Sequence, residues 1–278
     1  MKIRIYSILL VSVLLSLSVS AQGLKDEHKG VYRAYDFDAP RVDEPAPKGY
    51  EVFCLSHYGR HGSRFLYNEA EYDTLNVVLN RESLTATGEK VRDKFNENYP
   101  IFKGRAADLT ELGQKQHRLL ARRMMDDYPN LFRKGSEVYA FSSDRTRCMM
   151  SMYCFLDELR LCRNGLDIHA DYNSSYLKYL RAQHPEPFDM KAYLRDNFDP
   201  QSVFERLFTS PEKAMSSTDP WNFAQELYYY ASHLDGAGIK DDFWSNVLSD
   251  DEVKAIHRVE NEKFSYNRGG LRPANQTV

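Results

Sequence analysis

The pattern of apolar and polar positions divides the chain into a first half with strands and helices and a second half that is almost wholly helical. Residues 50–56 form a short, β-forming segment that is nearly continuously apolar at its centre, which is typical of a strand buried on both faces of a parallel sheet. Residues 137–141 form a second strand candidate. Because the order strand, polar turn, helix occurs twice, the pattern predicts an α/β sheet flanked by helices.

Three helical patterns lie in this first half. Two of them, residues 84–98 and 109–127, each open with a Leu-Thr pair followed by a glycine three residues after the threonine, so Thr85 and Thr110 are predicted N-caps. The third helical pattern follows the second strand, and its apolar residues recur at intervals of three and four, as on one face of a helix. These apolar residues are Met149, Met152, Phe155, Leu156 and Leu159.

Residues 172–267 predict a helical region that is punctuated by N-cap signals. Asp219-Pro220 combines a capping carboxylate with a proline at the first helical position, and Ser249 precedes an acidic first turn. The region also contains the aromatic clusters Tyr228–Tyr230 and Phe243–Trp244. We expect these clusters to be core rather than the wall of a binding site.

The N-terminus has the order of a secretory signal peptide, with basic residues, an apolar run at 8–17 and small residues ending at Ala21. The apolar run is too short to span a bilayer comfortably, so we expect no membrane span. The mature chain is predicted to start near Gln22 and to be secreted or periplasmic. Residues 22–49 are polar and contain several prolines, and they predict an extended segment rather than a packed element.

The predicted organisation is a signal peptide at 1–21, the N-terminal part of an α/β domain at 22–170, a helical subdomain at 171–267 and the start of a return to the α/β domain at 268–278. The formal net charge is −3 and becomes more negative once the basic leader is removed, which argues against a nucleic-acid surface. Secretion permits disulfides, but free thiols and a bridge remain equally open. The four cysteines are Cys54, Cys148, Cys154 and Cys162.

Two basic clusters stand at the carboxyl ends of the two predicted strands, where open α/β sheets place their ligand sites. Arg60, His61 and Arg64 follow the first strand, and Arg145 and Arg147 follow the second. Guanidinium groups present planar forks of donors that match phosphate oxygens, and several around one point neutralise a dianionic ester. An imidazole held among them can attack phosphorus, which makes His61 the candidate nucleophile.

The residues next to His61 suit this role. Neighbouring arginines lower the pKa expected of His61 and keep it neutral, and the carbonyl of Gly62 can orient the ring through its other nitrogen. Gly59 and Gly62 permit a tight turn and the close approach of a tetrahedral group. Two alternatives remain, namely arginines paired with surface carboxylates around a turn-capping His61, and a zinc pair of His57 and His61. No glutamate follows His57, and the glycines disfavour the helix that such a pair needs.

Arg60-His61-Gly62-Ser63-Arg64, after a hydrophobic strand, resembles the Arg-His-Gly-x-Arg signature of the histidine phosphatase superfamily, in its acid phosphatase and phytase branch. Within that branch the likeness is closest to the multiple inositol polyphosphate phosphatases. Leu109–Gly113, with His117, resembles the family's helix after the first strand. Ser142–Ser151 resembles the segment that supplies a further phosphate-binding arginine. The resemblance therefore rests on three motifs in the family's order.

The family pattern of an arginine, a serine or threonine four residues later and a phenylalanine eight residues later selects Arg147 over Arg145, since Ser151 and Phe155 follow it at those spacings. The resemblance implies a phosphoglycerate-mutase-like sheet with an inserted helical subdomain. It also implies a mechanism without metal or cofactor, in which the histidine takes a phosphoryl group from an inositol polyphosphate such as phytate and water then hydrolyses the phosphohistidine. The residues implied to hold the phosphate are Arg60, Arg64 and Arg147.

The family's proton donor, the acidic residue of a downstream His-Asp or His-Ala-Glu motif, is matched by none of the eight histidines. His169-Ala170-Asp171 comes too early, His233 has the wrong spacing, and His257 is followed by arginine. A further departure is Leu66, where many members have proline. We therefore expect a C-terminally truncated chain with an incomplete sheet and weak activity, because general acid assistance typically contributes about a hundred- to ten-thousandfold. A less selective acid or sugar-phosphate phosphatase and a non-catalytic phosphate-binding protein remain alternatives.

Overall fold

The computed structural model describes residues 24–38, 46–180 and 188–268. Within these ranges the chain forms a helix-rich α/β fold with a small parallel sheet. Strand β1 (Glu137–Ser142) pairs in parallel with β2 (Asp167–Tyr172), with Glu137 opposite Asp167. The α-helices of the described residues are α1 (Glu69–Arg81), α2 (Ala86–Phe102), α3 (Glu111–Asp127), α4 (Thr146–Cys162), α5 (Leu177–Leu180), α6 (Met190–Asn197), α7 (Gln201–Leu207), α8 (Pro211–Ser217), α9 (Pro220–His233) and α10 (Asp250–Arg268).

Most of the predicted elements are confirmed. Strand β1, helices α2, α3 and α4, and the helical character of the second half are present close to their predicted bounds. Thr85 and Thr110 are N-caps whose side chains accept from the backbone N–H of Gly88 and Gly113. Ser249 and Glu252 form a reciprocal capping pair at the start of α10. These capping signals involve residues that are close in sequence, which is why they could be predicted from the sequence.

The strand predicted at 50–56 is wrong, because this segment has no regular secondary structure. Its side chains are largely exposed, and that of Phe53 is 91% exposed. A strand forms by hydrogen bonding to a neighbour, and the segment pairs with neither strand of the described sheet. Strand β2 and helix α1 were not predicted. The side-chain pattern therefore identified strand β1, but it could not show which backbone segments pair with each other.

Two separate hydrophobic clusters hold the fold together. The smaller cluster lies between α3, α4 and one face of the sheet, where Leu156 and Leu159 of α4 are fully packed. The larger cluster joins residues 65–102 to residues 194–259. The aromatic groups expected to be core lie in this larger cluster, with Tyr228, Tyr230 and Trp244 almost completely buried. Helices α1 and α2 therefore pack with the helical second half rather than on the sheet.

The repeated Leu-Thr-x-x-Gly motif produces the same local contact twice. At α2, a Cβ added to Gly88 would lie 2.1 Å from the carbonyl oxygen of Leu207, and Leu84 forms an isolated antiparallel bridge with Phe208. At α3, a Cβ added to Gly113 would lie 2.2 Å from the carbonyl oxygen of Ser63. In both places the glycine lets a passing backbone approach the first turn of a capped helix.

We expect Gly88→Ala to destabilise the fold by about 2 kcal/mol, because the new Cβ would collide with a backbone oxygen that no side-chain rotation can move. The same change in an uncrowded helix would stabilise it by about 1 kcal/mol, since alanine is the better helix former. Urea unfolding of both chains gives the sign directly. A variant as stable as the parent, or more stable, would show that the close approach of Leu207 is not a constraint.

For residues 24–38 the structure corrects the prediction of an extended, unpacked stretch at 22–49. Residues Asp26–His28 and Gly30–Tyr32 form two 3₁₀ turns. Between them Lys29 is only 8% exposed and forms ion pairs with Asp26 and with Asp235 beyond the end of α9. The segment is thus packed against the helical half. The predicted signal peptide at 1–21 lies outside the described residues, and no helix within them is long and apolar enough to cross a bilayer.

Candidate active site

The Arg60–Arg64 loop is held against the first turn of α3. The backbone N–H of Thr110 donates to the carbonyl of Ser63 at 2.9 Å, and Arg64 forms an isolated antiparallel bridge with Leu109. A Cβ added to Gly62 would lie 2.4 Å from the carbonyl oxygen of Gly113. Glycine at both positions is what lets the loop and the helix come this close.

Side chains of α3 fix the middle of the loop. Gln116 is almost fully buried, and its amide oxygen accepts from the Ser63 N–H at 2.8 Å while its amide nitrogen donates to the Ser63 hydroxyl at 3.0 Å. The Thr110 hydroxyl lies within hydrogen-bond distance of the carbonyls of Ser63, at 3.0 Å, and Gly236, at 2.7 Å. Gln116 was not predicted from sequence. Its position three residues after Gly113, on the face that meets the loop, is the signal that could have shown it.

Helix α4 fixes the other side of the loop. The buried Ser151 accepts from the backbone N–H of Gly62 at 3.1 Å, and the ring of Phe155 stacks on His57 with centroids 5.9 Å apart. Ser151 and Phe155 are one helical turn apart, as are Arg147 and Ser151, so all three side chains lie on one face of α4. This arrangement gives a physical reason for the spacing of four and eight residues that selects Arg147.

The ring of His61 is held in one orientation by its neighbour Gly62. Its Nδ1 lies 2.8 Å from the carbonyl oxygen of Gly62, which accepts only from a protonated nitrogen, so the proton sits on Nδ1 and the lone pair on Nε2 is free. The pKa of His61 is lowered to about 3, and burial is the largest cause. The hydrogen bond to the Gly62 carbonyl opposes this shift, and the charges of Arg60, Arg147 and Arg64 add to it in that order. The sequence indicated the arginines as the cause, whereas burial contributes more.

Two arginines of the site have buried N–H donors that make no hydrogen bond to any described residue. The Nε atoms of Arg64 and Arg147 are both buried and without a hydrogen-bond partner among the described residues. Both guanidinium groups lie over the ring of Tyr67, with Cζ atoms 5.5 Å and 5.3 Å from its centroid. Arg60 is exposed and donates to the carbonyl of Val31 at 3.1 Å. An unsatisfied buried donor costs free energy, so an anion placed beside these Nε atoms would be favoured.

The competing arginine is placed differently. Arg145 is exposed at the N-cap position of α4, whereas Arg147 is half-buried and its charge helps to lower the pKa of His61. The predicted set of Arg60, His61, Arg64 and Arg147 is therefore brought together. Tyr67 and Tyr32, which contact the site arginines through their rings, were not predicted.

Two of the histidines compared with the family's proton-donor motif, His169 and His233, are engaged elsewhere. His169 is exposed on β2, stacks on Tyr139 and lies 3.3 Å from Asp167. His233 is fully buried, with its ring nitrogens 2.7 Å from the Tyr230 carbonyl oxygen and 3.1 Å from the Tyr72 hydroxyl oxygen. No group of three or more potential metal ligands occurs in the part of the chain that the structure describes. Each of the four cysteines is a free thiol.

Three buried imidazoles make the stability of the chain sensitive to acid. Burial lowers the pKa of His61 to about 3 and those of His117 and His233 to about 4, against 6.5 for an unperturbed ring. Between pH 6.5 and about 4 the unfolded chain therefore binds more protons at these rings than the folded chain does. Stability consequently falls as the pH falls through this window.

His117 offers the cleanest test of this pH dependence, because it donates to the backbone carbonyl of Arg60 and a glutamine could keep that hydrogen bond. We expect the loss of stability between pH 7 and pH 4.5 to shrink by on the order of 2 kcal/mol in His117→Gln. Urea unfolding at the two pH values measures it. An unchanged difference would mean that His117 is not held neutral by the fold.

The family comparison agrees with this geometry. The profile described as the histidine phosphatase superfamily (branch 2) matches residues 57–160, which include the Arg60–Arg64 loop, α3 and most of α4. The match supports the superfamily resemblance that the motifs indicate, over the part of the chain that it covers. No curated protein sequence matches the chain.

Among solved structures, the crystal structure of the phytase from D. castellii superposes on the chain with a TM-score of 0.53 at 12% sequence identity. The superposition covers 75% of this chain and 49% of the phytase chain, so the chain spans about half the length of that protein. At this identity the likeness concerns the fold alone, and it supports the predicted α/β fold class.

Proposed function

We propose that this chain forms the nucleophilic and phosphate-binding part of a phosphomonoester hydrolase that works through a phosphohistidine. The observation that carries the proposal is the combination at one loop of a neutral imidazole with a free Nε2 and two arginines whose buried Nε donors lack partners among the described residues. A bound phosphate would satisfy both donors and place its phosphorus beside the imidazole.

The proposed reaction has two steps. Nε2 of His61 attacks phosphorus, the bond from phosphorus to the ester oxygen breaks, and the leaving alkoxide takes a proton from solvent water. Water then attacks the phosphohistidine, releasing inorganic phosphate and restoring the neutral ring. Arg60, Arg64 and Arg147 neutralise the phosphate oxygens in both steps, which matters because phosphoryl transfer depends on positioning and charge stabilisation.

We further propose an inositol polyphosphate, such as phytate, as the substrate class. The support is the likeness of the motifs around Arg147 to the multiple inositol polyphosphate phosphatases and the fold shared with a phytase. A less selective acid or sugar-phosphate phosphatase would use the same four residues. The signal-peptide pattern at the N-terminus supports action outside the cytoplasm.

The test compares three substrates, namely phytate, glucose 6-phosphate and an aryl phosphate whose phenolate leaves without a proton donor. We expect release of inorganic phosphate from the aryl phosphate and, relative to glucose 6-phosphate, a preference for phytate. Equal rates on phytate and glucose 6-phosphate would favour the less selective phosphatase. Saturable binding of inorganic phosphate without turnover of any of the three substrates would make the chain a phosphate-binding protein.

A further inference from the structure

The 3₁₀ turn Gly30–Tyr32 contacts two of the three arginines of the site, although it lies about thirty residues before them. The carbonyl of Val31 accepts from Nη1 of Arg60 at 3.1 Å. The Cζ atom of Arg64 lies 5.2 Å from the centroid of the Tyr32 ring, and Arg64 also hydrogen-bonds the Tyr32 hydroxyl. One turn therefore contacts both Arg60 and Arg64, the first and last residues of the Arg-His-Gly-Ser-Arg motif.

The turn itself is anchored on the helical half of the fold. Lys29 is buried between its ion pairs with Asp26 and Asp235, and the Tyr228 hydroxyl donates to the His28 carbonyl at 2.6 Å. The Tyr32 ring packs against the ring of Tyr229, with centroids 5.7 Å apart. These contacts of His28, Lys29 and Tyr32 hold the turn in place independently of the arginines.

Arg64 needs such a support. Its Nη1 donates to the carbonyl of Phe65 at 2.6 Å, its Nε is buried without a partner among the described residues, and its guanidinium lies near both Tyr32 and Tyr67. A long side chain held in one rotamer before the ligand arrives loses less entropy on binding. A cation over a partly buried tyrosine ring contributes to that ordering.

We propose that the turn Gly30–Tyr32 is a positioning element of the phosphate site, in which Val31 holds Arg60 through its carbonyl and Tyr32 holds Arg64 through its ring and hydroxyl. This inference rests on the proposed function, because the arginines matter only if they bind phosphate. Tyr32 acts through Arg64 and does not itself touch the anion.

The test is a double-mutant cycle on the affinity of the purified chain for inorganic phosphate, measured by calorimetry. We expect Tyr32→Leu to weaken binding about tenfold and Tyr32→Phe, which keeps the ring, about threefold. In an Arg64→Ala background both changes should have no further effect, because the residue through which Tyr32 acts is gone. Tyr99→Leu is the matched control, since Tyr99 also packs partly buried on the larger core but contacts Phe95 and Asp73. It should stay within about twofold of the parent.

The outcomes separate the two proposals. If the parent chain binds no phosphate, the proposed function and the positioning role both fail. If the parent binds phosphate and Tyr32→Leu binds it equally well, or weakens it by the same factor with and without Arg64, only the positioning role is overturned. Should Tyr32→Leu not fold, the Tyr32→Phe arm of the cycle decides alone, by the presence or absence of its effect in the Arg64→Ala background.

Discussion

Replacing His61 with alanine is expected to abolish the covalent phosphoenzyme. When the parent chain is mixed with a radiolabelled aryl phosphate and quenched, the protein should carry acid-labile label, because the neutral Nε2 of His61 attacks phosphorus and the phenolate leaves unaided. In His61→Ala the label should fall by at least about a hundredfold, since no other group takes the place of a removed nucleophile. The measurement is label retained on the protein after a single-turnover quench.

His169→Ala is the matched control for this experiment. His169 is exposed on β2, and His169-Ala170-Asp171 is the nearest sequence imitation of the family's proton-donor motif. Its loss should leave the label within about twofold of the parent, because the aryl leaving group needs no proton. Label that survives in His61→Ala, or that disappears in His169→Ala, would assign the nucleophile to another residue.

The second large effect is expected from Arg147 and not from Arg145, two residues away. Arg147→Ala should weaken the binding of inorganic phosphate by on the order of 2 kcal/mol, or about thirtyfold, because it removes a buried, charged donor that has no other described partner. Arg145→Ala should weaken binding by less than about twofold, since an exposed charge near the site is screened by water and salt.

Calorimetry with both variants measures the difference, and circular dichroism confirms that each retains its helices. Equal losses in the two variants would mean that long-range charge, rather than the geometry of α4, attracts the phosphate. A larger loss in Arg145→Ala would reverse the assignment made from Ser151 and Phe155. Raising the salt concentration should reduce the small Arg145 effect and leave most of the Arg147 effect.

More of the candidate site than of the sheet could be predicted from the sequence. Arg147 was selected by the spacing of Ser151 and Phe155. In the structure Ser151 contacts Gly62, Phe155 stacks on His57, and the charge of Arg147 acts on His61, because the three side chains share one helical face. A spacing of four along a helix is local geometry, and local geometry is written in the sequence. The contact of the Gly62 carbonyl with His61 was predictable for the same reason, since the two residues are adjacent.

The sheet was harder because a strand is defined by a partner that is distant in sequence. Residues 50–56 have strand-forming side chains but no strand neighbour among the described residues. Strand β2 has the alternation of polar and apolar residues that is typical of a half-buried strand, but it is only six residues long and was not predicted. The support from Tyr32 escaped prediction similarly, because about thirty residues separate it from Arg64 and its segment is polar and proline-rich. Pattern alone gives no distance between such segments.

The causes of electrostatic effects were also only partly readable from sequence. Neighbouring arginines predict the direction in which the pKa of His61 moves, but burial contributes more, and burial depends on how α3 and α4 close over the loop. Burial likewise lowers the pKa of His117, although its sequence neighbours give no sign of it. The sequence shows which charged residues are neighbours along the chain, whereas the desolvation of a side chain can be assessed only once the fold is known.

The central claim is that His61 accepts the phosphoryl group. The most direct measurement is peptide mapping by mass spectrometry of the parent chain, quenched and digested at neutral to alkaline pH after reaction with the aryl phosphate, conditions that preserve a phosphohistidine. We expect one phosphorylated peptide, with the phosphoryl group on His61. A phosphoryl group found on Ser63 or His57, or turnover of the aryl phosphate with no phosphorylated residue, would contradict the claim.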